Sequence, residues 1–174
     1  YKISGTYCAS LTPFNADYSI NKKLLLEHCN NHLSQQIDGI AIFGTTGEAN
    51  SLSIEEKLDA INYLIENKID PSKLIPGTGL NSIKDTVYFT KAAAKMNVRG
   101  VLVLPPSYYK NINSEGLISY YTRVVEEVGK TNLHYLLYHI PQMSSVNIDL
   151  NIIEKLLYKY PDNNSVFPDV NINL

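Results

Sequence analysis

The chain alternates short apolar runs with longer segments of helical periodicity, and this alternation limits the possible folds more than any other feature of the sequence. The runs are rich in Ile, Val, Leu and Tyr, which is typical of strands buried on both faces. They lie at residues 5–11, 39–43, 74–77, 100–104 and 133–140. Strands separated by helical segments are typical of parallel sheets made of βαβ units. The sequence therefore predicts an α/β fold with a parallel sheet covered by helices.

Two of the intervening segments, residues 21–34 and 53–66, place their apolar side chains on one side of a helix. Ser53 and Glu56 have the spacing of a capping box, in which each side chain bonds the backbone N–H of the other residue. Three more polar residues are expected to cap later helices, namely Asn81, Ser114 and Asp149. Helix starts are therefore well marked along the chain.

Two architectures contain a parallel sheet of this kind, the closed barrel and the open doubly wound sheet. The nucleotide-binding form of the open sheet has a glycine-rich turn after its first strand, whereas residues 11–15 contain no glycine. The barrel therefore fits better. Because a complete (β/α)8 barrel needs about 250 residues, residues 1–174 are predicted to form one incomplete TIM-barrel domain. It would hold about five and a half βα repeats, with an atypical tail from about residue 163.

The strand-to-helix connections are longer and richer in Gly, Thr, Pro and Tyr than the return connections, which places the chemistry at the carboxyl ends of the strands. The second of them, which we call the threonine loop, reads Gly44-Thr45-Thr46-Gly47-Glu48. Its glycines permit close backbone approach, and its threonine hydroxyls and N–H groups near a helix start suit a carboxylate. A capped turn without a ligand remains the alternative at this point.

The charge balance limits the possible partners. The net charge is −2 and the isoelectric point is about 6.1, so no basic surface is predicted for nucleic acid or anionic lipid. No apolar run approaches the roughly 20 residues that cross a bilayer, and the first residues do not resemble a signal peptide, so a cytoplasmic protein is expected. His28 and His32 have a spacing that can hold zinc, with Glu27 beside them. No third ligand follows at a recognisable spacing, so no metal site is predicted.

The loops after the five predicted strands form an ordered set. They are residues 12–14, the threonine loop, the Gly-Thr-Gly at 77–79, the tyrosine pair at 108–109 and the Tyr-His-Ile-Pro at 138–141. In this order they resemble the dihydrodipicolinate synthase and N-acetylneuraminate lyase family, over residues 4–160. The threonine loop and the tyrosine followed by proline are the most specific parts of the match.

The resemblance implies a class I aldolase in which a lysine at the end of the sixth strand forms a Schiff base with pyruvate or another 2-keto acid, without a cofactor. By position in the family pattern, Thr46 would bind the substrate carboxylate, with Thr45 and Gly47 beside it. Thr45 would also be the middle of a hydroxyl relay. Tyr138 would donate and accept the proton beside the Schiff base. Tyr109 would complete the relay by reaching into a neighbouring subunit, which implies a homodimer or homotetramer.

The chain departs from the family pattern near the expected second substrate. The synthases have an arginine two residues after the proline that corresponds to Pro141, whereas this chain has Met143 there. A methionine cannot form the two-pronged hydrogen bond that arginine makes with a carboxylate. A sugar-acid-like or aldehyde co-substrate is therefore expected in place of aspartate semialdehyde.

A second departure concerns the nucleophile. The family pattern predicts the Schiff-base lysine near residue 167, but residues 163–174 contain no lysine. Lys155 and Lys159 lie on a predicted helix and not at a strand end. The expectation is a fragment of an enzyme or a change of reading frame near residue 163.

Three functional hypotheses follow. The first is a carbon–carbon lyase or synthase of the Schiff-base type, with the dihydrodipicolinate synthases themselves as the alternative within the family. The second is a non-catalytic chain that keeps the site for the keto acid. The third is an unrelated α/β binding domain, which requires the ordered loop matches to be a coincidence.

Overall fold

The computed structural model describes residues 3–160. Within this range the chain alternates five strands with α-helices. The strands are β1 (Tyr7–Ala9), β2 (Gly39–Ile42), β3 (Leu74–Pro76), β4 (Gly100–Val103) and β5 (His134–Leu137). The helices are α1 (Lys22–Leu33), α2 (Ile54–Glu66), α3 (Ile83–Lys95), α4 (Ser114–Val128), the short α5 (Pro141–Ser144) and α6 (Leu150–Lys159).

The strands are parallel and neighbour one another in the order of the sequence. β1 pairs with β2 and β2 with β3, while β4 pairs with β5. A parallel bridge between Gly77 and Leu102 joins the two groups, next to a 3.0 Å hydrogen bond from the Arg99 N–H to the Leu74 carbonyl. In a doubly wound sheet the order of the strands reverses at a switch point, whereas in a barrel each new strand pairs with the strand that precedes it in the chain. The order therefore confirms the prediction of an incomplete (β/α)8 barrel.

The hydrophobic core lies between the sheet and the layer of helices. Alternate strand residues such as Ile40 and Ile42 are buried on the helix side, whereas Ala9 and Ala41 on the other face are more exposed. Each long helix adds a buried apolar stripe to the same cluster: Leu25 and Cys29, Ala60 and Leu64, Phe89 and Ala93, Leu117 and Val124, Ile152 and Leu156. The helical periodicity read from the sequence is thus the packing face of each helix.

The ends of the elements differ from the predictions in two ways. The capping box at Ser53 and Glu56 forms as predicted, and Asp149 caps α6. However, Asn81 and Ser114 are not caps, because Ser82 caps α3 and Asn113 caps α4. The predicted outer strands are also too long, since pairing ends where the chain turns away from its neighbour.

The described residues contain no helix that is both long enough and apolar enough to cross a membrane. The predicted tail from residue 163, the expected start of the sixth repeat and the expected position of the Schiff-base lysine lie outside the described residues.

Lys57 is an uncommon component of this core. Its side chain is only 1% exposed, on the buried face of α2. Its ammonium group lies 5.8 Å from the centre of the Phe89 ring, and no carboxylate of the described residues forms an ion pair with it. Burial lowers the pKa of Lys57 to about 8, because removing the ammonium from water disfavours its charged form.

We expect Lys57→Met to raise the free energy of unfolding at pH 7 by about 1–3 kcal/mol, since methionine fills similar space without a charge. The unfolded chain keeps the ordinary pKa of 10.5, so the native state binds fewer protons at Lys57 between pH 8 and 10.5. The penalty of the charged lysine is therefore complete below pH 8 and disappears towards pH 10.5. Urea denaturation of both proteins from pH 7 to 10 measures the difference.

The comparison isolates Lys57 because other groups titrate equally in both proteins. Burial raises the pKa of the Cys29 thiol to about 12, which acts in the opposite direction above pH 9 in either chain. Lys23→Met, at an exposed position on α1, is the control and should change stability little. An advantage of Lys57→Met that stays constant from pH 7 to 10 would contradict the explanation.

Candidate active site

The loops that follow β2, β3, β4 and β5 meet around one cavity of about 190 Å³. Its wall includes Gly44 and Thr45 after β2, Gly79 after β3, Leu104 after β4 and Tyr138 after β5. All of them lie at the carboxyl ends of the strands, where (β/α)8 enzymes have their active sites. The cavity is therefore the candidate active site.

The threonine loop is a tight turn in which adjacent amide groups are left without a partner. The Gly47 and Glu48 N–H groups donate to the carbonyls of Gly44 and Thr45, both at 3.1 Å. The N–H groups of Thr45 and Thr46 make no hydrogen bond with any described residue. Consecutive unpaired N–H groups in a turn are suited to bind an anion.

The turn begins and ends with residues in an unusual backbone conformation. Phe43, which is buried, has a φ of 56°, and Glu48 has a φ of 53°. Bulky residues rarely adopt this left-handed conformation, and such positions cluster at functional sites. Thr12 holds the turn from the β1 side, because its hydroxyl donates a 2.7 Å hydrogen bond to the Gly47 carbonyl.

The end of β3 lies against the end of β2 so closely that only glycine fits. A Cβ atom on Gly77 would lie 2.1 Å from the Phe43 carbonyl oxygen, which is a backbone atom and cannot move by rotamer change. This close approach brings the Gly-Thr-Gly loop beside the threonine loop. The contact explains why residue 77 is a glycine, which the Gly-Thr-Gly motif by itself did not.

Buried hydroxyl groups fix the loop after β3 from below. The Thr90 hydroxyl donates to the Thr78 hydroxyl at 2.9 Å. The Tyr120 hydroxyl donates to the Leu80 carbonyl at 3.0 Å and lies 3.1 Å from the Thr86 hydroxyl. Burial raises the pKa of Tyr120 to about 12, so the phenol stays protonated and remains a donor at neutral pH.

Asn81 connects the loop after β3 to the loop after β4. Its side-chain oxygen accepts hydrogen bonds from the N–H groups of Ser107, at 2.8 Å, and Tyr108, at 3.0 Å. This role replaces the predicted one at a helix start. It holds the tyrosine loop in place, while the Tyr108 and Tyr109 rings themselves project from the surface, 73% and 76% exposed.

Tyr138 and Met143 form the side of the cavity near β5. The Tyr138 N–H donates to the Val103 carbonyl at 3.1 Å, and its side chain is only 5% exposed. After Pro141 the chain forms the single turn of α5, which carries Met143 to the same wall. The position that distinguishes this chain from the synthases therefore faces the cavity.

The structure brings together part of the predicted site. Thr45 and Tyr138 line one cavity, and Gly47 is a buried residue of the threonine loop itself. Thr46 is exposed and Tyr109 points outward, and neither lines the cavity. The roles of these residues remain predictions.

Sequence reasoning missed several residues of the site. Glu48 and Ser107 line the cavity, and Asn81 positions a neighbouring loop. Their only signal in the sequence is that each is a polar residue in the loop that follows a strand. That signal cannot separate a helix cap from a bond to another loop.

Among the described residues, no group of three or more His, Cys, Asp or Glu side chains is placed to hold a metal ion. His28 and His32, the pair with zinc-like spacing, lie 3.0 Å apart between their Nε2 atoms, which is a hydrogen-bond distance.

The chain is similar in sequence to one family of known proteins. The sequence model of the dihydrodipicolinate synthetase family matches residues 2–166. A 4-hydroxy-tetrahydrodipicolinate synthase of Endomicrobium trichonymphae is 32% identical over 153 residues, which are 88% of this chain and 51% of that protein. The protein of the same name from Listeria welshimeri is 36% identical over 150 residues, 85% of this chain and 50% of that protein. The chain thus spans about half the length of these relatives.

Solved structures give the same result. A dihydrodipicolinate synthase from Agrobacterium tumefaciens superimposes with a TM-score of 0.88 at 28% identity, over 92% of this chain and 56% of that one. A variant of the 2-keto-3-deoxygluconate aldolase from Sulfolobus solfataricus superimposes with a TM-score of 0.79 at 25% identity, over 88% of this chain and 50% of that one. These similarities agree with a partial barrel.

We expect Gly77→Ala to lower the free energy of unfolding by about 1–3 kcal/mol, because the new methyl group would overlap the Phe43 carbonyl and force the strand ends apart. Gly44→Ala is the matched control. Its new Cβ would meet only the Leu102 side chain, at 3.9 Å. Urea denaturation measures both changes, and equal losses at the two positions would contradict the steric explanation.

Proposed function

Because the chain belongs to the dihydrodipicolinate synthetase family, we propose that it carries the keto-acid-binding part of a Schiff-base lyase or synthase. The substrate in this proposal is pyruvate or a related 2-keto acid. Such an enzyme forms or cleaves a bond between the carbon next to the keto group and the carbonyl carbon of an aldehyde, after a lysine amine has replaced the keto oxygen, which leaves as water.

One observation carries the proposal, namely the two unpaired N–H groups of Thr45 and Thr46 at the carboxyl end of β2. Two adjacent donors match the two oxygens of a carboxylate, and the Thr46 hydroxyl is a third donor on the same turn. The adjoining cavity of about 190 Å³ has room for a small keto acid. The carboxylate would lie on the turn, with the keto carbon directed towards Tyr138.

Proton transfer in this proposal uses hydroxyl groups. Tyr138 is buried on the cavity wall and Thr45 lines the same wall. Tyr138 would exchange a proton with the substrate carbon or nitrogen, and Thr45 would pass it onward. The cavity wall also includes the carboxylate of Glu48, which is exposed. In this proposal Glu48 lies outside the relay.

No lysine lines the cavity, so none of the described lysines is placed to form the Schiff base. Lys159 lies on α6 and forms a 2.9 Å ion pair with Glu126. That hydrogen bond raises the pKa of Lys159, which keeps its amine protonated and not nucleophilic. Lys155 also lies on α6, one turn earlier. The family pattern places the lysine on the sixth strand, and residues 160–174 contain no lysine.

Met143 is the residue that indicates which kind of second substrate the site would bind. It is 64% exposed and lies on the cavity wall, at the position where the synthases have a carboxylate-binding arginine. This favours an aldehyde or sugar-acid-like co-substrate. The names of the curated relatives favour a dihydrodipicolinate synthase instead. We propose the broader class of keto-acid lyase or synthase, which includes both.

The outward Tyr109 favours an assembly of several subunits. Its ring packs edge-on against that of Tyr108, with the ring centres 5.2 Å apart, and both project from the loop after β4. In the proposed homodimer or homotetramer, Tyr109 would complete the hydroxyl relay of the neighbouring subunit. We place the protein in the cytoplasm, with small keto acids as its ligands and neither nucleic acid nor membranes as partners.

A chain that binds keto acid without catalysis is the second candidate. It is favoured by the formed threonine loop, whose unpaired amides can bind a carboxylate without any covalent step. The two candidates differ in covalent chemistry, so they can be separated on the same protein.

We expect isothermal titration calorimetry to detect pyruvate binding by the 174-residue chain, and Thr46→Ala to weaken it about tenfold by removing a hydrogen bond to a charged group. Acetone, which lacks the carboxylate, should give no heat. Thr131→Ala, at the other end of the strands, should bind pyruvate like the unchanged chain. Absence of pyruvate binding at millimolar concentration would overturn the proposed site.

We expect no stable adduct when the same chain is treated with pyruvate and borohydride. The reagent reduces a Schiff base to a stable amine, and no described lysine lines the cavity. Lys110, on the loop after β4, donates a 2.6 Å hydrogen bond to the carbonyl of Ser107 on the cavity wall, so its amine is held as a protonated donor. Mass spectrometry of the intact chain is the measurement. Incorporation of one pyruvate at a single lysine would show that a nucleophile is present after all and would favour catalysis over simple binding.

A further inference from the structure

A second and larger cleft lies at the opposite ends of the strands from the candidate active site. Its volume is about 570 Å³. It is formed by residues that precede β3, β4 and β5, together with the last turns of α3 and α4. We call it the basic cleft, after the cations in its wall: Lys91, Lys95 and Arg99. All its walls come from the third, fourth and fifth repeats.

All the charged side chains in the wall of the cleft are positive. It contains no Asp or Glu side chain. Lys91 and Lys95 are one turn apart on α3 and exposed, and neither forms an ion pair with a described carboxylate. Two like charges at this spacing repel each other and destabilise a helix. Because neither ammonium group has a described counter-charge, both are available to an anionic ligand.

The helix dipole explains only part of this arrangement. Lys95 is in the last turn of α3, where a cation is favourable. The dipole effect fades within one turn, so it does not account for Lys91. Nor does it account for Arg99, which follows the helix and also hydrogen-bonds the Tyr7 side chain. All three cations line the cleft, but they do not all lie at the end of one helix.

The rest of the wall is suited to an organic body. Val98 and Leu133, which are 5% and 3% exposed, contribute apolar surface to the same wall. Ser72, Thr131 and Asn132 add hydroxyl and amide groups at the rim. A simple inorganic anion would leave most of a cleft of this volume unfilled. The combination of cations, hydrogen-bonding groups and an apolar floor is typical of sites for small organic ligands.

We propose that the basic cleft binds a small organic phosphate, such as a nucleoside diphosphate. Lys91 and Lys95 bind its phosphate groups, and the apolar floor at Val98 and Leu133 receives its organic part. The site is separate from the proposed keto-acid site and does not depend on it. The residues that line the cleft come from the third, fourth and fifth repeats, so the binding test can be made on the 174-residue chain.

The test is isothermal titration calorimetry of the 174-residue chain with ADP, inorganic pyrophosphate and adenosine at low ionic strength. ADP should bind most tightly, because it alone contacts both the cations and the apolar floor. Lys91→Gln with Lys95→Gln should weaken ADP binding at least about tenfold, since two charge-assisted contacts are lost. Added salt should also weaken it.

The matched control is Lys23→Gln with Lys155→Gln. These two exposed lysines lie on α1 and α6, away from the cleft, and have the same change of charge. ADP should bind this variant within about twofold of the unchanged chain, which allows for the small long-range effect of charge. Circular dichroism and thermal unfolding confirm that each variant is folded.

Three results would overturn the proposal. They are absence of ADP binding at millimolar concentration, an equal loss of affinity in the two double variants, and pyrophosphate binding as tight as that of ADP. The pyruvate titration of the same samples reports separately on the keto-acid site, so failure of one site is distinguishable from failure of the other.

Discussion

Parallel pairing between strands that follow one another in the chain is the constraint on which the rest of this structure depends. It requires each connection to cross the sheet by a helix, and those helices bury the apolar faces that form the core. It also places the carboxyl end of every strand at the same edge. Thr45 and Tyr138, which are far apart in sequence, line one cavity for this reason.

The loops at that edge are held by backbone contacts as much as by side chains. Gly77 permits the ends of β2 and β3 to touch, and Phe43 takes a left-handed conformation where they meet. Buried hydroxyl groups on α3 and α4 then fix the loop after β3. In the turn that this support holds in place, the adjacent Thr45 and Thr46 amides are unpaired.

The sequence predicted the fold well, whereas the roles of the predicted site residues remain predictions. Strand and helix positions follow from local periodicity, so all five strands were located, although the outer ones were drawn too long. The capping error at Asn81 has a tertiary cause. Asn81 and Ser82 are both good caps, and so are Asn113 and Ser114, so propensity does not distinguish them. At the first pair, Asn81 is engaged by the Ser107 and Tyr108 amides of another loop. That contact links residues that no local pattern connects.

The sequence by itself determined the order of the elements, the barrel in preference to an open sheet, and the family, because these depend on periodicity and on motifs that are contiguous in the chain. Only the tertiary structure decided that the Thr45 and Thr46 amides are unpaired, that Met143 faces the cavity, and that Lys91 and Arg99 share a cleft. Each of these depends on which distant residues come within a few ångströms, and that distance is a property of the packed chain.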